Sequence, residues 1–246
     1  MTTPTQRQPE LAGQTVVVIG GSSGIGLETA RRAREEGAEV ILTGRNAEHL
    51  KQAAAEVGAR GTAAFDVTDP AALDRFFADL KGPIDHLYMT AGGPYYAPLA
   101  ELDFAKALQA LDAHLLVPLR IGRNAVGKVR PGGTLLFMSG TGARRPAKGQ
   151  AVAAIGTAGI PALVANLALE LAPVRVNGIA AGFVDTPLSA RLLGGDLEAR
   201  RAELRATLPI RRVVGPADIA ALAVHLMANT AVTGATYDID GGQQLI

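Results

Sequence analysis

Short apolar runs alternate with longer amphipathic stretches along the whole chain. Val16-Val17-Val18-Ile19 is a β-branched run closed by glycines, which suits a strand buried on both faces. A helical block follows over 24–36 and stops at Gly37, a residue type favoured just past a helix end. The pattern predicts the next strand over 40–42, a helix over 47–57 and a third strand over 63–65. Asp69-Pro70 opens another helix, with Asp69 as its cap and Pro70 at its first position. Further buried strands are expected over 84–89 and 134–138, with one long helical stretch between them from about 99 to 126. An apolar helix over 151–171 leads into a strand over 174–179, and a last strand is expected at 236–239.

Strands separated by helices throughout imply an α/β fold: a doubly wound, mostly parallel seven-stranded sheet with helices on both faces. No internal repeat or second boundary interrupts it, so residues 14–246 read as a single domain behind a flexible polar tail at 1–13. The polar, Arg-rich helical segment at 187–208 reads as a lid over a site.

Composition narrows the function. Hydrophobic residues make up 48% of the chain and 29 glycines add to them, enough for a sizeable core, which excludes a disordered protein. The formal charge of +1 gives no field to draw the chain to nucleic acid or to an anionic membrane. Cysteine is absent, which excludes disulfides, thiolate nucleophiles and Cys-held metals. His49, His86, His114 and His225 are scattered, so no metal site is expected. The N-terminus lacks the apolar run of a signal peptide. Residues 151–169 carry no charge, but they are mostly Ala and Gly with Pro161 and Asn166 inside, which suits packing between protein helices rather than lipid. A cytoplasmic protein without membrane contact is expected.

The candidate chemistry begins at Gly20-Gly21-Ser22-Ser23-Gly24-Ile25-Gly26, directly after the first strand and directly before the first helix. Glycines there allow a tight turn and close backbone approach, and the free N–H groups of the helix start face a pyrophosphate. An acid about 20 residues on, at the end of the second strand, would hold the ribose 2′-hydroxyl of NAD. Here that end reads Thr43-Gly44-Arg45-Asn46, and the guanidinium of Arg45 suits a 2′-phosphate instead. NADP(H) is therefore expected over NAD(H), unless Arg45 is only a solvated surface cation.

These residues resemble the short-chain dehydrogenase/reductase family over nearly the full chain. The loop from Gly20 through Ser22, Ser23, Gly24 and Ile25 to Gly26 is similar to the family's TGxxxGxG, with Ile19 in place of Thr. Asp66-Val67 stands where the family contacts adenine, and Met89-Thr90-Ala91-Gly92 stands where it has Asn-Asn-Ala-Gly, with only the second half, Ala91-Gly92, kept. Arg175-Val176-Asn177 matches the family's RVN, and Asp240-Gly241-Gly242 its DGG. Ala181-Gly182-Phe183-Val184-Asp185-Thr186 resembles the PGxVxT that covers the nicotinamide. The resemblance implies a Rossmann-type fold, cofactor contacts from these segments, Gly182, Val184 and Thr186 among them, and a homodimer or homotetramer.

The catalytic pattern departs from the family. Its members pair a Tyr-x-x-x-Lys on a helix with a Ser after the fifth strand and an Asn on the fourth helix, because a phenol of pKa near 10 needs an ammonium beside it to release a proton. By alignment those positions fall on Ala153, Thr157, Gly140 and His114. Four residues beyond Tyr88, Tyr95, Tyr96 and Tyr237 stand Gly92, Leu99, Ala100 and Gly241, and seven beyond stand Tyr95, Leu102, Asp103 and Gln244, so no tyrosine is paired with a lysine at either spacing.

Replacement proton donors are few. Tyr95 and Tyr96 follow the loop that leaves the fourth strand and either reach a substrate oxygen or simply wall the pocket. His114 either relays protons or holds a backbone carbonyl. Ser139 offers a hydroxyl one residue early, although strand alternation turns it away from position 140. Arg144, Arg145 and Lys148 form a cluster that either steers an anionic small molecule or is solvated surface. Two classes of function remain: an NADP(H)-dependent oxidoreductase acting on a small carbonyl or enone with nonstandard proton delivery, or an NADP(H)-binding sensor or scaffold without catalysis.

Overall fold

The computed structural model describes residues 10–246. Seven strands, β1 (Thr15–Ile19), β2 (Glu39–Gly44), β3 (Gly61–Ala64), β4 (Ile84–Met89), β5 (Val129–Gly140), β6 (Arg175–Ala181) and β7 (Thr236–Ile239), form one sheet in the order β3-β2-β1-β4-β5-β6-β7. Every pairing in it is parallel. Alternate residues of the central strands feed two separate cores. Val16, Val18, Tyr88 and Leu136 pack under α1 (Gly24–Glu35), α2 (Ala47–Val57) and α9 (Pro216–Ala228). Val17, Ile19, Leu87 and Phe137 pack under α3 (Pro70–Asp79), α5 (Val117–Ala125) and α6 (Ala151–Glu170). This is the doubly wound Rossmann-type arrangement, and it explains why the strands read as continuous apolar runs: both faces are covered.

Local signals act as their chemistry dictates. Asp69 caps α3, its carboxylate accepting from the N–H groups of Ala71 and Ala72 at 2.9 and 3.2 Å. Asn46 caps α2 through His49 N–H at 2.9 Å. Helix α6, charged only at its last residue, Glu170, is long and apolar enough to cross a bilayer by length and composition, but it lies on the sheet with Val152, Ala153, Gly156, Ile160, Val164 and Leu167 buried.

Two expectations need correction. The stretch from 99 to 126 is not one helix. A 3-10 turn at Leu99–Glu101 precedes α4 (Phe104–Leu111), and a π-helical turn at Asp112–Leu116 separates α4 from α5. A 3.6-residue periodicity cannot register that extra residue in the turn. The ordered body also begins before residue 14: Leu11 is fully buried, and its N–H donates to the Glu36 carbonyl at 2.9 Å. The rest of the expected tail, residues 1–9, lies outside the described residues.

Candidate active site

Three segments converge at the C-terminal edge of the sheet, between β1 and β4, where the strand order reverses and parallel sheets bind ligands. The first is the glycine loop. Gly20 has φ +95°, and a Cβ there would lie 2.6 Å from the Ala91 nitrogen and 2.8 Å from Thr90 Oγ1. A Cβ on Gly26 would collide with the Gly20 carbonyl oxygen and lie 2.6 Å from Thr90 Oγ1. Only bare backbone fits. Thr90 closes the turn, its hydroxyl 3.2 Å from the carbonyl oxygens of both Ile19 and Gly20. Nothing in the sequence pattern marked Thr90 for that role.

The loop ends in an open helix start. Ser23 is the N-cap of α1 but makes no side-chain capping bond, so the first-turn N–H groups have no side-chain acceptor, an arrangement suited to a phosphate. Ile25 packs against the core beneath. Ser22 reaches toward β2: its Oγ lies 3.0 Å from where a Gly44 Cβ would stand. The next residue, Arg45, is exposed, and no hydrogen bond or ion pair joins it to another described residue. Asp66, after β3, accepts from Thr68 N–H and Oγ at 2.9 and 2.7 Å. Those bonds, with a smaller contribution from the charge of Arg45, hold its carboxyl below the ordinary range. Val67 beside it is buried in the α3 core.

The second segment follows β4. Thr90 and Ala91 N–H groups both donate to the Ile19 carbonyl, at 2.8 and 3.0 Å, which brings Ala91-Gly92 beside the glycine loop. The third is a strap at 182–186 after β6. Phe183 N–H donates to Gln243 Oε1 at 2.8 Å, and Asp185 N–H to the Val214 carbonyl at 2.9 Å. Val184 is buried, in a parallel bridge with Val214. Thr186 caps α7 (Pro187–Leu193) and places its Cβ 3.6 Å from where a Gly24 Cβ would stand. Gly182, Val184 and Thr186 thus lie on a strap that closes against the start of α1. The role of Gln243, distant in sequence, carried no sequence signal.

The expected proton donors are dispersed around this crevice. On α6, the Thr157 hydroxyl donates to the Ala153 carbonyl at 2.9 Å and accepts from Ala143 N–H at 3.0 Å. Ala153 is buried, and a Cβ on Gly140 would stand 3.4 Å from Thr157 Cγ2. The Ser139 hydroxyl is buried without a partner. Tyr95 accepts a bond from Asp103 N–H at 3.1 Å, which ties it to the cap of α4. Tyr96 is 51% exposed, and the burial of the remainder pushes its phenol up rather than making it more acidic. His114 lies in the π turn, its Nδ1 2.9 Å from the Ala110 carbonyl oxygen, which requires the proton on Nδ1 and leaves Nε2 without a described partner.

The cation cluster is smaller than the sequence suggests. Arg144 is committed to Asp238 at the end of β7, through a forked pair at 2.7 and 2.5 Å. Arg145 and Lys148 make no ion pair with a described residue. Their loop is held against the post-β4 segment by Ala97 N–H, which donates to the Gly149 carbonyl at 3.0 Å.

The sequence model of enoyl-(acyl carrier protein) reductase matches residues 19–244. The chain belongs to the short-chain dehydrogenase/reductase family. Among curated family members, ATR9 of Stachybotrys chlorohalonatus is 32% identical, covering 95% of this chain and 98% of its own. A solved structure of a short-chain dehydrogenase/reductase family protein superposes with a TM-score of 0.85 at 32% identity, covering 96% of this chain and 100% of the other. BdcA in complex with NADPH does so with a TM-score of 0.85 at 26% identity, covering 95% of each. Family membership makes this an oxidoreductase-type fold.

Proposed function

We propose that the protein binds NADP(H) in this crevice and transfers hydride to or from a small carbonyl or conjugated alkene, with proton delivery unlike that of its relatives. The cofactor fits the residues present. Bare backbone at Gly20 and Gly26 with an α1 start that no side chain caps suits a pyrophosphate, and Arg45, unpaired among the described residues, suits a 2′-phosphate. BdcA, similar in fold, is described in complex with NADPH. When bound, the nicotinamide would supply the hydride. Thr186, Val184 and Ala91 would exclude water from its face and orient it.

The observation that carries the unusual proton chemistry is the committed Thr157 hydroxyl beside buried, apolar Ala153. With Gly140 opposite, that face of α6 offers no acid to a substrate oxygen. His114 Nε2 or a phenol of Tyr95 or Tyr96 would have to hold the proton, or water would. Positioning alone supplies rate under this reading. Arg145 and Lys148, cations without an ion-pair partner among the described residues and beside the crevice loop, favour an anionic substrate. The same α6 face supports the second reading, a nucleotide-binding sensor or scaffold.

NADPH oxidation against a panel of carbonyls and enones separates the two. A substrate turned over by the wild type and lost in His114→Ala, Tyr95→Phe or Tyr96→Phe supports catalysis and names the donor. Saturable NADPH binding with no turnover supports the sensor. A second copy is the expected partner: Phe104 and Leu108 on α4 and Ile155 on α6 are 73%, 67% and 56% exposed on helices that pack together. Light scattering on the purified protein reads the mass directly, and a monomer would refute the oligomer.

A further inference from the structure

The segment expected as a lid is built of α7, a 3-10 turn at Gly194–Asp196, and α8 (Leu197–Thr207). It already lies across the crevice. Besides the Thr186 contact, Pro187 Cδ stands 3.8 Å from the position of a Gly24 Cβ, and both terminal methyls of Leu188 stand 3.6 Å from that of Gly93. Helix α7 therefore bridges the start of α1 and the loop after β4, over the ground where the nucleotide is proposed to lie. A nucleotide laid along the glycine loop would meet α7 there, and α7 would have to move to let it pass.

What resists that movement is ionic. Arg201 of α8 donates from Nη2 to Asp185 Oδ1 at 2.7 Å, which ties α8 to the strap between Val184 and Thr186. Its Nη1 pairs with Glu198 on its own helix, and its Nε is buried without a partner. The guanidinium is thus held by two carboxylates and keeps one unmet donor. A pivot lies nearby. Gly194 has φ 54° and ψ −121°, a conformation that residues with side chains rarely adopt, and neither Gly194 nor Gly195 has an atom within 4 Å of its Cβ position. The far end of α8 is fixed by Leu204 and Leu208, each 1% exposed.

We propose that the Asp185–Arg201 pair is a latch that holds α7 over the crevice, pivoting at Gly194-Gly195, and so sets how fast a nucleotide gets in and out. The proposal rests on the nucleotide-binding reading for its purpose, but the latch itself can be tested without nucleotide. Amide hydrogen exchange over 187–200 in the free protein is expected to quicken roughly tenfold in both Arg201→Met and Asp185→Asn, the loss of one charge-assisted bond. Glu198→Gln, which removes only the partner on the same helix, should leave Asp185–Arg201 closed and exchange near wild type. Unchanged exchange in both latch variants overturns the proposal, and if one variant fails to fold the other decides.

Stopped-flow fluorescence with NADPH supplies the second reading. Association and dissociation should both accelerate, while Kd moves far less than either rate. The double variant should be no faster than the faster single one, since either change alone opens the latch. Additive acceleration, or an unaltered dissociation rate, counts against it. Wild-type protein that shows no saturable NADPH binding would remove the cofactor reading, and exchange alone would then decide the latch.

Discussion

The imidazole of His114 lies against Gly156 of α6, its Cβ and Cγ 3.2 and 3.3 Å from the point a Gly156 side chain would occupy. The ring cannot retreat freely, because Nδ1 is held by the Ala110 carbonyl at 2.9 Å. In Gly156→Ala the usual helix gain of about 1 kcal/mol is opposed by an overpacking cost of about 1–3 kcal/mol. Net destabilisation of about 1 kcal/mol is expected in urea unfolding, together with a displaced His114 resonance. A stabilised variant would show that the ring is loosely held.

Arg45 separates the cofactors. Replacement by alanine removes a charged, forked partner for a 2′-phosphate and should weaken NADPH binding roughly 10–100-fold, or about 1.5–3 kcal/mol. NADH affinity should barely change. Calorimetric titration of both nucleotides checks it, and equal losses for the two would assign Arg45 a general role.

Gly26→Ala tests the glycine loop. The added methyl meets the Gly20 carbonyl and Thr90 Oγ1, the former backbone and unable to swing aside. Loss of about 2–3 kcal/mol is expected by chemical denaturation, with nucleotide binding abolished. Wild-type stability and affinity in this variant would mean the loop is open in solution.

His86 makes stability fall in mild acid. The ring is 3% exposed, with Nε2 2.5 Å from Gln14 Oε1 and Nδ1 buried without a partner. Burial pushes its pKa down to about 4, with Arg175 adding to the effect and Asp85 opposing it. The unfolded chain binds a proton near 6.5 that the folded chain refuses until about 4, so the unfolded state gains as pH drops between those values. The cost of this one group is about 2 kcal/mol at pH 5 relative to pH 7.5. His86→Gln should flatten that part of the stability profile, and an unaltered slope would assign the loss to other groups.

Arg175 spans two elements. Its guanidinium donates to the carbonyls of Leu226 and Met227 at 2.7 and 2.6 Å, at the end of α9, and to that of Asn229 at 2.9 Å. Arg175→Met leaves these buried acceptors unmet and should cost about 3 kcal/mol or more in thermal or urea unfolding. A loss under 1 kcal/mol would mean that water replaces the guanidinium.

The chain's own order of residues determined the sheet, its parallel sense and the place of the glycine loop. Buried strands must be apolar on both faces, and caps such as Asp69 and Asn46 act within three residues of themselves, so these signals are local. Tertiary structure alone decided the rest. The π turn around His114 packs on Gly156 and Gly159 of a helix distant in sequence, where a side chain would meet His114 and a Leu115 methyl. Arg144 reads as one of a cluster of cations until Asp238, far along the chain, arrives beside it, and nothing in the Arg-rich pattern of 187–208 pairs Arg201 with Asp185, which the fold sets within reach. Partnerships between charges and the fit of bare backbone against backbone are set by distances through space, which spacing along a chain does not encode.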